Sequence, residues 1–171
     1  MTFNVTVDTA ALDRLARRLG NIEEMVEKEM INTMWASTNA IEQSVLRTYD
    51  EKKINYNGPL RASIHQEVYG SPVDGLTGEV ATGALDYAWS MEEGRPPGIP
   101  VSEQGQEALD LWSKRKGPGV PGYVLARSIT RKGIKGRHFM RDGFAKVKAR
   151  VEKLWDGLPD RVAVRFEKGQ Q

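Results

Sequence analysis

NGPLRASIHQEV (Asn57–Val68), GEVATGALDYAWSMEEGRPP (Gly78–Pro97) and VLARSITRKGIKGRHFMRDGF (Val124–Phe144) are the stretches on which the fold turns. In the first, Leu60, Ala62, Ile64, Gln66 and Val68 alternate with Arg61, Ser63, His65 and Glu67, which predicts a strand over 60–69. Ser71-Pro-Val-Asp-Gly75 reads as a hairpin tip. Leu76–Ala81 then reads as a returning strand that continues towards Trp89. A link this short makes the pair antiparallel. Glu92–Gly105 holds three of the eight prolines and three glycines, so it predicts an exposed loop without regular structure.

Upstream, Phe3–Val7 alternates and is expected to be a short strand. Asp8 is expected to cap a helix that ends near Leu19, with Gly20-Asn21 as a break. A second, long helix follows from Ile22 to Tyr49. Its apolar positions are Ile22, Met25, Val26, Met30, Met34, Ile41, Val45 and Tyr49. The face is weakest at Ser37–Asn39, where the pattern allows either a bend or a closely packed neighbour. Downstream, short helices are expected over 106–116, with Leu109 and Trp112 inward, and over 123–130. Lys132–Arg137 reads as a glycine-rich basic loop. A closing helix over 139–155 has an apolar seam of Met140, Phe144, Val147, Val151 and Leu154, and RVAVRF (Arg161–Phe166) reads as a final strand. These elements make an α+β fold in one domain over 1–171, a small antiparallel sheet packed against a long N-terminal helix, with a basic C-terminal helix and an exposed loop at about 92–105.

Charge is segregated. Residues 1–113 carry a net −9 and residues 114–153 a net +11, while the whole chain is +2. That split predicts an acidic surface and a basic surface offered to different partners or to neighbouring copies. Without cysteine the chain has neither a disulfide framework nor thiolate chemistry. Its opening residues lack the pattern of a secretory signal, and no apolar run is long enough to span a bilayer. His65 and His138, the only two histidines, lie 73 positions apart and read as solvent-facing or rim residues. No metalloprotease, nucleophile-elbow, phosphate-loop or paired-cysteine motif occurs. The expectation is therefore no catalytic residue, no metal site and no cofactor. Glu92 and Glu93, adjacent in a loop, suit a surface charge or a salt bridge to a neighbouring subunit.

The order of segments resembles the tail-completion or minor tail proteins of long-tailed bacteriophages, the family that includes lambda's minor tail protein Z. The likeness rests on Asn57, Gly58, Leu60, Ser63 and Ile64 opening the first strand, on Tyr87, Ala88, Glu92 or Glu93 and Gly94 after the second, and on Lys135, Gly136, Phe139 and Met140 at the closing helix. Pro59 departs from the pattern. The resemblance implies a structural protein of the virion neck or tail, made in the host cytoplasm. It would form a ring of copies, most simply six, that joins the tail terminator to the head-completion or connector complex. Transient contact with DNA in the channel and no membrane partner are expected. The interface residues expected from this are Tyr87, Trp89, Glu92, Glu93, Arg95, Pro96 and Pro97, with Arg131, Lys132, Lys135 and Arg137 as a second contact. Tyr87, Trp89 and Phe139 would supply apolar holding energy. The alternative is a nucleic-acid-binding protein that uses the basic segment 114–153.

Overall fold

A computed structural model describes residues 9–54, 58–83 and 88–168, with side chains described from residue 20 onward, Lys116 apart. The chain is α+β, and its elements run α1 (Thr9–Glu51), α2 (Pro59–Ser63), β1 (Ile64–Ser71), β2 (Gly75–Thr82), α3 (Ala88–Glu92), β3 (Gly94–Arg95), α4 (Glu103–Lys116), α5 (Gly122–Lys132), β4 (Ile134–Lys135), α6 (Phe139–Asp156) and α7 (Leu158–Lys168). The sequence-predicted strand at Phe3–Val7, the Asp8 cap, and Tyr87 lie outside the described residues. The chain forms two compact units. One comprises Met1–Gln43, Gln66–Val80 and Lys146–Gln171, and the other Ser44–His65 and Ala81–Ala145.

Four expectations are corrected. The break at Gly20-Asn21 does not occur, and α1 is one helix of 43 residues. Gly20 is not in the left-handed region, so it continues the helix at a cost of about 1 kcal/mol relative to Ala. No proline interrupts the strong helix formers on either side. The predicted strand over 60–69 begins only at Ile64. Gly58 is extended and Pro59 occupies the first turn of α2, where its missing N–H costs nothing, so Leu60–Ser63 completes one helical turn and buries Leu60.

The predicted final strand Arg161–Phe166 is helical, part of α7. Leu158, Arg161, Val162 and Phe166 are its half-buried positions, a three- to four-residue spacing that outweighs the short alternation. The apolar seam of α6 is rotated by one position in its first two turns, while Val147 is inward as expected. Phe139, Gly143 and Val147 are buried, whereas Phe144 is 43% exposed.

In the first unit, α1 buries a polar stripe. Glu29, Thr33, Ser37 and Thr38 are each under 5% exposed. The hydroxyls of Thr33 and Ser37 donate back to the carbonyls of Glu29 and Thr33, both at 2.7 Å. Ser37–Asn39 therefore lies where a neighbour packs closely. A Cβ on Gly78 of β2 would lie 2.5 Å from Met34 Sδ and 2.6 Å from Thr38 Cγ2, so the hairpin meets the helix there through a glycine. The buried Glu29 carboxylate meets α7. Arg161 Nε donates to Oε1 at 2.7 Å, and Arg161 Nη2 donates to Thr33 Oγ1 and to Leu154 O, both at 2.8 Å. Arg165 Nη2 lies 3.0 Å from Oε2 in an ion pair that lacks hydrogen-bond alignment. Residues i and i+4 sit about 6 Å apart on a helix but about 13 Å apart on a strand, so only the helix brings both guanidinium groups to one carboxylate.

At the tip of the hairpin, β1 and β2 pair across a three-residue link, antiparallel as expected. Ser71 Oγ donates to Asp74 Oδ2 and accepts from Asp74 N, which closes the turn.

In the second unit the core is apolar. Val45, Tyr49, Ile54, Leu60 and Phe139 are each at most 3% exposed. Tyr49 and Phe139 meet edge to face, with ring centroids 5.3 Å apart and planes at 89°. Gly143 allows α6 to approach α1 closely. A Cβ there would lie 2.7 Å from Val45 Cα, and Ser44 Oγ donates to Gly143 O at 2.7 Å. Helix α1 ends where Lys53 adopts a positive φ of 53° and Ile54 N donates to Tyr49 O, a left-handed helix stop.

Candidate functional site

The two segments expected to contact partners, 92–105 and 131–137, come together within the second unit. Their middles pair as the antiparallel bridge β3–β4, with Gly94 opposite Lys135 and Arg95 opposite Ile134. Gly94 has φ 89°, and a Cβ on it would lie 2.7 Å from Gly136 N and Ile134 O, so only glycine fits the bridge. Gly98 N donates to Thr130 O at 2.7 Å, and Arg137 N and His138 N donate to Met91 O and Glu92 O. The proline loop, the short helix before it and the basic loop are thus one hydrogen-bonded platform.

This corrects the expected loop in three places, the first being Glu92, which ends α3. Regular structure enters it at Gly94–Arg95. Its C-terminal end is already helical from Glu103, because Ser102 caps α4 and accepts from Gly105 N at 3.2 Å. Its segment 96–102 is irregular and mostly exposed as expected, with contacts of its own. Arg95 Nη2 donates to Ile99 O and Pro100 O, folding its side chain onto the loop. Arg95 is half-buried by this and braces the loop from inside, whereas Pro96 and Pro97 are exposed.

Glu92 is not a free surface charge. It ends α3, and its carboxylate sits at the N-terminus of α6, where Oε2 accepts from Met140 N and Oε1 from Arg141 N, both at 3.0 Å. His138, the residue before the helix, is a poor capping residue, and the remote carboxylate satisfies donors it leaves open. Glu93 is exposed. Trp89 is 73% exposed on α3 rather than lying on a sheet face, because the chain turns helical at Ala88 and buries Ala88 instead. Phe139, expected at an interface, is fully buried against Tyr49. Trp112 is 39% exposed, and Ser113 takes the inward position on α4.

Arg131, Lys132, Lys135 and Arg137 are all exposed. Tyr123 and Arg127 also belong to the basic segment 114–153. Both are exposed on α5, at four-residue steps in line with Arg131. That spacing was legible and marks one helix face.

Several other charges in this unit are committed to pairs. Lys52 Nζ meets Asp142 Oδ2 at 2.5 Å and, by hydrogen bond and charge, holds the Asp142 carboxyl below the usual range. Arg61 grips Asp50 with two hydrogen bonds of 2.9 and 3.0 Å and lowers its pKa likewise. Asp110 is lowered by Lys114 and by the N–H of Gly122.

His65 is exposed, with Nδ1 2.8 Å from Ser63 O. Among the described residues, Glu92, Glu93 and His138 have ligand-capable atoms within 4.8 Å of one another. Both Glu92 oxygens in that trio already accept from the start of α6, whose positive end opposes a cation. A groove of about 480 Å³ is lined by Gln106, Glu107, Asp110, Leu111, Pro121, Gly122 and Tyr123. Its lining has no nucleophile–base pair. No helix among the described residues is long and apolar enough to cross a membrane.

In comparison with known proteins, no family model, no curated protein and no solved structure matches this chain.

Proposed function

We propose that this chain is a structural protein of the neck or tail of a long-tailed bacteriophage and that it works by binding. Copies would close into a ring, most simply of six, between the tail terminator and the head-completion or connector complex. It would be made in the host cytoplasm, act in the virion, and carry no catalytic residue, metal or cofactor.

The observation that carries this reading is the β3–β4 bridge, by which the basic loop 131–137 braces the exposed Trp89 and the Pro96–Pro100 loop into one platform. A large exposed aromatic beside a stiff proline loop loses little entropy on docking and suits an interface anchor. The resemblance in sequence supplies the identity of the assembly. Deleting the gene from the phage genome that carries it tests the proposal. The expected result is DNA-filled heads and complete tails that do not yield infectious particles. A normal yield of virions would overturn it.

A further inference from the structure

Some cations of the second unit are held in ion pairs and others are not. Lys52, Arg61 and Lys114 are paired with carboxylates. Arg127, Arg131, Lys132, Lys135 and Arg137 are all exposed, and none has a salt bridge among the described residues. They fall on one continuous piece of chain, the outer face of α5 and the loop that follows it. We propose that this face binds the phosphate backbone of double-stranded DNA. The inference does not need ring closure, and it assigns the cationic face to a polyanion rather than to a neighbouring copy.

The inner side of α5 fixes the outer one. Gly122 and Ala126 are buried, and Leu125 and Ile129 are half-buried. Gly122 N donates to Asp110 Oδ1 at 3.0 Å, and Thr130 O accepts from Gly98 N. With that side seated, Tyr123, Arg127 and Arg131 follow one another at single helical turns on the solvent side. The Arg pair has a Cβ spacing of about 5–6 Å. The helix then stops at Gly133, whose φ of 74° only glycine adopts readily, and the bridge to β3 holds Lys135 in place.

Five unpaired cations in 11 residues match a duplex better than a folded acidic protein. B-DNA presents one negative charge per about 1.7 Å of its axis, so a short cationic face meets several phosphates at once. Arginine also offers bidentate contacts to phosphate. The segment from Pro121 to His138 contains no Asn or Gln, side chains that pair bidentately with adenine edges. It has one exposed aromatic, Tyr123, where single-strand binding would use a series of stacking platforms. Contact with the backbone, independent of sequence, is the mode this face supports.

The test is fluorescence anisotropy of the full chain with a labelled random-sequence DNA duplex at about 50–200 mM salt. With five phosphates engaged, log K falls against log salt with a slope of about −4 to −5. Arg127→Gln with Arg131→Gln should weaken binding by at least about tenfold and reduce the slope by about 2. Lys132→Gln with Lys135→Gln should do the same, which guards against one pair failing to fold. Lys148→Gln with Arg150→Gln, elsewhere on α6, should leave the affinity within about twofold. Absence of binding at low salt would overturn the proposal. So would equal weakening by the Lys148/Arg150 pair, since that would mean diffuse charge. Loss of self-association in the α5 variants with DNA affinity unchanged would also overturn it, placing a neighbouring copy on this face while leaving the assembly reading intact.

Discussion

Where the first unit buries a carboxylate between two guanidinium groups, the second buries an aromatic pair. In the first, Glu29 is 4% exposed and is met by Arg161 and Arg165 of α7, with Thr33 tied into the same network. In the second, Tyr49 and Phe139 meet edge to face over Val45 and Gly143. An ionic network of this kind fixes which helix face meets which, at the cost of removing charge from water. An apolar core has no such directional demand, but it tolerates little change in volume. All the surfaces proposed for partners lie in the second unit, the one with the apolar core.

Removing volume from the second unit has the largest effect. Phe139→Ala should cost about 3–5 kcal/mol in urea unfolding, because it empties the most buried aromatic site. A cost below 1 kcal/mol would mean that this core is loosely packed. Next is the ionic unit. Arg161→Ala leaves Glu29 with only the Arg165 ion pair, which lacks hydrogen-bond alignment, and should cost about 3 kcal/mol. The double change Glu29→Met with Arg161→Met should recover most of that loss. If the double variant is as unstable as the single one, the network is valued for more than its charge pairing. Third, Glu92→Ala removes two acceptors from the start of α6 and should cost about 1–2 kcal/mol. Glu93→Ala, exposed beside it, should change stability by less than about 0.5 kcal/mol.

These residues also mark what sequence could reveal. The long helix, the hairpin, the two short helices and the basic closing helix were legible from their periods, although Gly20-Asn21 does not break α1 and the first strand starts only at Ile64. Helix α7 was misread because Val162, Val164 and Phe166 alternate over too short a window. The evidence against a strand, Arg161 and Arg165 converging on Glu29, comes from a residue 132 positions away. The rotation of the α6 seam had the same cause. Gly143 looks like a break in an apolar stripe until Val45 is seen against it. At the candidate site, both partner segments were legible from proline, glycine and basic content, but not their pairing through β3 and β4. Glu92 read as a surface charge because its partners are backbone donors 48 and 49 positions on.

The smallest effect is acid sensitivity. Asp50 and Asp142 have pKa values lowered by Arg61 and Lys52. Their contribution is therefore present above the unfolded carboxylate value of about 3.9 and is lost as pH falls through the lower folded values. Stability should be flat with respect to these pairs above about pH 5 and should decline below about pH 4. Arg61→Gln should flatten part of that decline. An unchanged acid limb would show that the Asp50 pair is neutral in effect, as exposed ion pairs often are.

The central claim is that the exposed platform of the second unit holds copies together. Sedimentation equilibrium of the full chain across a range of concentrations, wild type beside Trp89→Ala, tests it most directly. Trp89 is 73% exposed, so the substitution should leave the melting temperature unchanged. The account predicts a closed species of several 19.1 kDa chains for wild type and a shift towards single chains for the variant. Single chains for wild type at every concentration, or the same closed species for both proteins, would contradict it.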